Sequence, residues 1–350
     1  MTPERKALRT LVKLAISFGI LGFLFYQLGR GQNAVNEIWN TPKQWSRFVL
    51  AGLAILMAAI ITFKRWHLLV CALGLQFSLR DAIRLGFVGY LFNFLSLGIA
   101  GGDVVKTIFL VREQAGKRTE AVATVVLDRF IGLYAMMLVA TVSIWIVDLQ
   151  PLTVRDPQLL EKFELVGTVA VWLTLAGSLV ITLVLLTGMA TSSVWDSCSR
   201  LPLVGSTILR LVLSVRTYRH QKRVLLTALL MSITVHVLLC IGIYLIASGL
   251  TGICPSLATH FVMIPIANVA NVVPLPGGLG ALELALDTVY RALSPQEAIT
   301  GQGFIVALGY RFLTLCIAGF GMFFWVSNRD QMDNALQYEP VDQSPLGKKD

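Results

Sequence analysis

Six ionisable residues stand where an unpaired charge is costly: Asp103, Lys106, Asp128, Arg129, Glu283 and Arg311 all fall inside apolar segments. Each would cost about 2.5–3.5 kcal/mol facing lipid at the centre of a membrane helix, so the set must face inward, pair, or meet water. Arg129 follows Glu120 by nine residues and Arg311 follows Thr300 by eleven, which is about 14–17 Å along a helix. Both arginines therefore stand deep in their segments. A guanidinium keeps its charge when desolvated and offers paired donors in a planar fork, which suits phosphate. The competing reading is an arginine held by Asp128 or Glu283 solely to lock helices together. Neighbouring helical positions point about 100° apart, so Asp128 and Arg129 do not neutralise each other side by side.

The remaining polar groups gather around glycine breaks. Asp103 directly follows Gly101 and Gly102, and Glu283 lies three residues after Gly280. Each acid is either a helix cap, with Glu283 at the third position of a capping box, or an acceptor for a cationic headgroup or a proton. Pro274, Pro276, Gly277, Gly278 and Gly280 crowd one helix start, and the exposed backbone N–H groups there suit an anion. Asn93, Asn268 and Asn271 either line the same cavity or bond helices to one another. Lys106, one turn after Asp103, suits an i,i+3 pair with it. Asp287, near the outer boundary, suits solvation. His236 and His260 suit packing. The five cysteines form no CxxC, and neither a disulfide framework nor a metal site is expected. With no Ser/His/Asp set and no phosphate-binding P-loop, no catalytic residue and no cofactor is expected.

The elements that position these residues follow from composition. The 350 residues are 55% apolar and 14% charged, against about 25% charged in soluble domains. Charge-free stretches cover 48–63, 85–102, 130–147, 165–195, 224–282 and 312–328. A spanning helix takes about 20 apolar residues, so the chain is an all-α polytopic membrane protein. Soluble enzyme, nucleic-acid binder and secreted domain are excluded as whole-chain readings. The net charge of +9 is then topology. Clusters at 5–13, 64–84, 112–118, 200–223 and 329–349 hold 20 of the 29 basic residues, while 30–47, 148–164 and 287–297 hold 3, 2 and 1. Basic loops stay cytoplasmic. Trp39, Trp45, Trp66, Trp145 and Trp325 near helix ends suit interfacial anchoring.

Hydropathy predicts helices at about 8–29, 46–66, 120–147, 164–188, 223–250 and 300–327, with interrupted segments at about 82–111 and 257–292. The first helix has a basic start and no cleavage site, as in an uncleaved signal-anchor. Residues 197–222 carry apolar residues at helical spacing beside arginines, which suits either a helix on an anionic leaflet or a solvated basic linker. Residues 329–350 form a short cytoplasmic tail. Gly74 to Asn93 and Gly249 to Asn268 are both 19 residues apart, and the later glycine pairs keep nearly the same offset of about 175. An odd number of spans separates the two segments, so they enter the membrane from opposite sides. Two such units, about 46–147 and 223–327, predict an inverted repeat within one transmembrane domain, 1–328. The broken segments are either re-entrant hairpins around a wet cavity, which gives six full spans and two hairpins, or kinked helices packed through small residues.

Gly101-Gly102-Asp103, Asp128-Arg129-Phe130 and Pro274-Leu275-Pro276-Gly277-Gly278-Leu279-Gly280-Ala281-Leu282-Glu283 resemble the lysylphosphatidylglycerol synthetase/flippase transmembrane family. The resemblance runs over about 10–328, although a proline expected before the first glycine pair is missing at Ser96-Leu97-Gly98-Ile99. It implies translocation of a phospholipid or polyprenyl-linked lipid between leaflets of a prokaryotic cytoplasmic membrane, with both termini inside. Lipid aminoacylation is not expected, because family members that perform it carry a separate soluble synthetase domain. Membrane lipids, not nucleic acid, are the expected partners, with a second copy or an envelope-biosynthesis enzyme left open. Two other functions stay open: a non-transporting accessory protein for lipid or envelope-glycan synthesis, and an ion-coupled carrier of small anions.

Overall fold

The computed structural model describes residues 40–95, 101–113, 117–147, 167–179, 221–250, 254–272, 280–293 and 301–327, with Gly22, Tyr26, Leu165, Ile181 and Tyr218 as single positions. Apart from those positions, the expected first helix, residues 197–220 of the basic linker and the tail lie outside the described residues. In chain order the helices are α1 Trp45–Ala72, α2 Leu79–Leu95, α3 Gly101–Glu113 and α4 Arg118–Ile146. Helix α5 covers Gly167–Leu179. Then come α6 Lys222–Leu250, α7 Leu257–Asn268 with a 3-10 turn Val269–Val272, α8 Ala281–Leu293 and α9 Gln302–Ser327.

Among the described residues four helices are long and apolar enough to cross a membrane: α1, Glu120–Ile146 of α4, α6 and α9. They leave large apolar side chains such as Leu53, Leu226, Phe312 and Phe323 exposed, as a helix does when lipid is its solvent and every backbone group is bonded within the segment. Each interrupted segment is a pair of short helices, α2 with α3 and α7 with α8. The order long, short, short, long thus occurs twice, in α1–α4 and in α6–α9.

The packing repeats as well. Helix α2 lies on α9 as α7 lies on α4, α3 rests on α4 as α8 rests on α9, and α6 touches α4 as α1 touches α9. The two corresponding long helices, α1 and α6, form the most extensive contact, and they run antiparallel. Gln44 donates its N–H to the Gly249 carbonyl at 3.0 Å at one end of this seam. Near the other, Ala228 of α6 clusters with Leu69 of α1, and the Tyr218 hydroxyl donates to the Leu69 carbonyl at 2.8 Å. The main core runs from Ala51 and Ile55 of α1 through Ile246 of α6 to Met263, Leu286 and Val306.

The breaks have local causes. Ser256 caps α7 by accepting the Thr259 N–H at 3.2 Å. Gly280, with φ at +88°, takes a left-handed conformation that disfavours a Cβ and so marks the start of α8. Gly102 brings α3 against α2 backbone to backbone, and its first-turn N–H donates to the Asn93 side-chain oxygen at 2.9 Å, satisfying a donor the helix itself cannot.

The tryptophans divide. Trp45 and Trp145 are exposed, as interfacial anchors are. Trp66 is fully buried, so it is not a plain anchor, while Trp325, half-buried near the end of α9, has its ring 5.1 Å from that of Phe92.

A Cβ on Gly102 would fall 2.2 Å from the Gly89 carbonyl oxygen, a contact only backbone movement relieves. Gly102→Ala is therefore expected to lower stability by about 1–3 kcal/mol, read as a drop in melting temperature of the detergent-purified protein. An unchanged melting temperature would mean that α2 and α3 are not held by this contact.

Candidate functional site

Each set of four helices holds one acid–arginine pair in the same arrangement. The acid stands on the short helix that follows the glycine break, and the arginine stands on the long helix after it. Asp103 of α3 accepts from the Arg129 guanidinium of α4. Glu283 of α8 accepts from Arg311 of α9, whose Nε and Nη2 lie 3.0 and 2.9 Å from Oε1. The other Glu283 oxygen accepts the Gly280 N–H at 2.8 Å, which completes the capping-box bond. Glu283 is thus both cap and counter-ion. Asp103 meets its arginine across 26 residues, and Asp128 pairs with Arg65.

The two pairs differ in access. The Arg129 side chain is 45% exposed and Asp103 19%, whereas Arg311 is 12% exposed and Glu283 1%. Helix α2 links them. Its Gly89 lies against the Lys106 stem, while the next residue, Tyr90, stands within electrostatic reach of Tyr310 and Arg311.

Asp128 leaves α4 about 100° around the helix from Arg129, toward Arg65 of α1. The Arg65 Nε donates to Asp128 Oδ1 at 2.7 Å, Nη2 donates to the Asp128 carbonyl at 3.2 Å, and Nη1 donates to the Ser232 hydroxyl of α6. Arg65 is 5% and Asp128 6% exposed. His236 of α6 adds a second tie to α4, with Nε2 3.0 Å from the Gly132 carbonyl. Sequence reasoning missed Arg65 because it sits beside Lys64 in a basic cluster. The available signal was periodicity: Arg65 falls on the buried stripe of Ala51, Ile55, Ala58 and Leu69, while Lys64 is exposed.

Two expectations change with the structure in hand. Lys106 makes no ion pair with Asp103; its ammonium lies over the Trp66 indole, 5.2 Å from the ring centroid, because α3 turns its buried face to α1 and α2. Asp287 is not solvated: it is 2% exposed and pairs with Arg291 at 3.1 Å within α8, where Gly303 of α9 packs onto its backbone. His260 is packed, with its ring nitrogens near the Ser256 carbonyl and the Tyr290 hydroxyl. Asn93 bonds α2 to α3 at Gly102, Asn268 ends α7, and Gly101 opens α3. Gly277, Gly278 and the Asn271 side chain lie outside the described residues.

The family model for the lysylphosphatidylglycerol synthase TM region matches residues 10–321, nearly the full length. The chain belongs to this family. Membership makes it a multi-pass membrane protein tied to lipid handling. Among curated proteins, none matches the chain. Within this lysylphosphatidylglycerol synthase TM chain, the two acid–arginine pairs are the candidate lipid-headgroup site and the Arg65–Asp128 pair is a structural tie.

Removing one partner of a buried ion pair leaves the other uncompensated, so Arg65→Met is expected to cost about 3–5 kcal/mol, and the double change Arg65→Met with Asp128→Leu to recover most of it. Thermal unfolding of the three purified proteins checks this. Equal loss in the single and double variants would deny Arg65–Asp128 the role of a tie.

Proposed function

We propose that the protein is a lipid translocase that passes an anionic phospholipid or polyprenyl-linked headgroup between leaflets while the acyl chains stay in lipid. The observation that carries this reading is the recurrence of one acid–arginine pair per four-helix unit, open at Arg129 and closed at Arg311. The antiparallel course of α1 and α6 supports an inverted repeat, since corresponding helices of oppositely inserted units run in opposite directions. In that arrangement α2–α3 and α7–α8 are the re-entrant hairpins, entering from opposite leaflets, and the arginines reach mid-membrane from opposite faces. Alternating access then consists of opening one pair while the other closes. No covalent chemistry is required. The membrane is a prokaryotic cytoplasmic one, with both termini inside.

Each arginine would serve as the phosphate donor in the state that exposes it. Its acid neutralises it when no headgroup is bound, which keeps a bare guanidinium out of the low-dielectric interior. A lock alone would not need to be reachable, yet Arg129 is nearly half exposed.

The test is leaflet exchange of headgroup-labelled lipids in vesicles reconstituted with purified protein, using anionic, aminoacylated and polyprenyl-phosphate lipids. The wild type is expected to exchange one of these well above empty vesicles. Folded Arg129→Ala and Arg311→Ala proteins are each expected to lose about tenfold or more, the weight of a charge-assisted hydrogen bond. Exchange no faster than in empty vesicles for every lipid would overturn the proposal.

A further inference from the structure

A groove of about 520 Å³ opens between α4, α6 and α7, walled by Leu138, Val142 and Ile146 of α4, Ile233 and Val237 of α6, and Phe261 of α7. No charged side chain lines it, and its single polar one, Ser143, donates its hydroxyl to the Val139 carbonyl at 2.7 Å. Its volume is that of a ligand site, yet its side chains offer a polar headgroup nothing to bond. Val142 and Ile146 are exposed, so the groove is continuous with the lipid-facing surface of the spanning helices α4 and α6. The corresponding place in the other set of helices is filled. There α2 lies on α9, and the rings of Phe63, Phe320 and Phe324 close around Phe87 with centroids 5.0, 5.7 and 5.9 Å from it. Phe320 and Phe324 follow Arg311 by nine and thirteen residues, and the same counts from Arg129 give Leu138 and Val142. Phe87 precedes Asn93 by six residues, and the same count from Asn268 gives Val262. Three of the four rings thus have smaller counterparts between α4 and α7. The ring gained at Phe261, where α2 has Gly86, walls the groove without filling it.

We propose that this groove holds an acyl chain of a bilayer phospholipid, bound apart from the acid–arginine pairs and serving as the packing between α4 and α7. Ile146 stands 18 residues after Asp128, five turns at about 3.6 residues each, so the groove lies on the Asp128 face of α4 and about 100° from Arg129. A lipid held here is therefore not the one whose phosphate reaches Arg129. The walls match an uncharged chain, which enters sideways from the bilayer past Val142 and Ile146 without stripping water from any polar group. Leu138 and Val147 bound a stretch of nine residues of α4, about 14 Å along the axis, which suits an extended, unbranched chain better than a methyl-branched polyprenyl one. The bound chain then steadies α7 against α4 as Phe320 and Phe324 steady α2 against α9. None of this rests on the translocase reading.

Photo-crosslinking of the full chain in reconstituted vesicles tests this, using phosphatidylcholine or phosphatidylglycerol with a diazirine in one acyl chain and mapping the labelled residues by mass spectrometry. Both lipids are expected to label Ser143 and Val237 in like yield, because no charge in the groove selects a headgroup; labelling by only one of them would overturn a seat set by the chain. Leu138→Phe with Val142→Phe, which restores the rings found beside α2, is expected to lower labelling there about tenfold or more. Labelling at Phe323, exposed on α9, should stay as in the wild type. Yields that change equally at both places, or at neither, would mean contact with bulk lipid and overturn the inference. Without lipid, the double variant should melt at or above the wild-type temperature, because its rings fill a void; a clearly lower value would mean that the space does not admit them and would overturn the groove. Should the double variant not fold, Ala258→Phe narrows the groove from α7 and is judged by the same two yields. Polyprenyl phosphate that abolishes labelling as a minor fraction of the bilayer would assign the groove to a polyprenyl chain and overturn the phospholipid. A labelled groove without leaflet exchange would sink the translocase reading alone, and exchange without a labelled groove would sink this inference alone.

Discussion

A guanidinium buried among membrane helices must find acceptors on the elements around it, and Arg65 finds them on two. It links α1 to the Asp128 carboxylate and carbonyl of α4 and to the Ser232 hydroxyl of α6. That three-helix junction holds the antiparallel α1–α6 seam against α4, and α4 in turn presents Arg129 on the adjoining face. Because Asp128 and Arg129 are neighbours separated by about 100° around the helix, fixing one aims the other. The structural pair thus orients the candidate functional one. A buried pair of this kind contributes little net stability over an apolar substitute; its value is in setting which face of α4 looks outward.

The two units share a plan and differ in electrostatics. Both place an acid just after a glycine break and an arginine on the following long helix, so each guanidinium is discharged by a partner from its own unit. In the second unit the acid is also held by the Gly280 N–H, which anchors it more firmly than Asp103. The first unit adds Lys106, seated over Trp66.

How much was legible in the sequence follows from distance along the chain. The Glu283–Gly280 bond is local, three residues apart, and its capping-box spacing announced it. The helical order and the two glycine breaks were legible because hydropathy and Gly/Pro punctuation act within a few residues. The pairing of Arg129 with Asp103 was not, since Asp128 stood next door and the true partner lay 26 residues away on another helix. Arg65 was hidden by its neighbour: a basic pair at a helix end reads as a cytoplasmic marker, and only the buried stripe it shares with Ile55 and Leu69 separates it from Lys64. Lys106 had a plausible local partner, but the face it shares with Val105 and Leu110 packs on α1 and α2, and tertiary packing prevailed over i,i+3 spacing.

The meeting of Gly102 with Gly89 leaves no side chain between the α2 and α3 backbones. Two helices touching this way have no soft layer in which to slip, and Asn93 bolts them together at the same level. They can travel only as one stiff body. Its far side bears on α9, where Gly321 lies against the Phe87 carbonyl, a second contact without padding. Under the translocase proposal, a motion that uncovers one arginine and hides the other would carry α2 and α3 together about that bearing, like a rocker with a hard pivot.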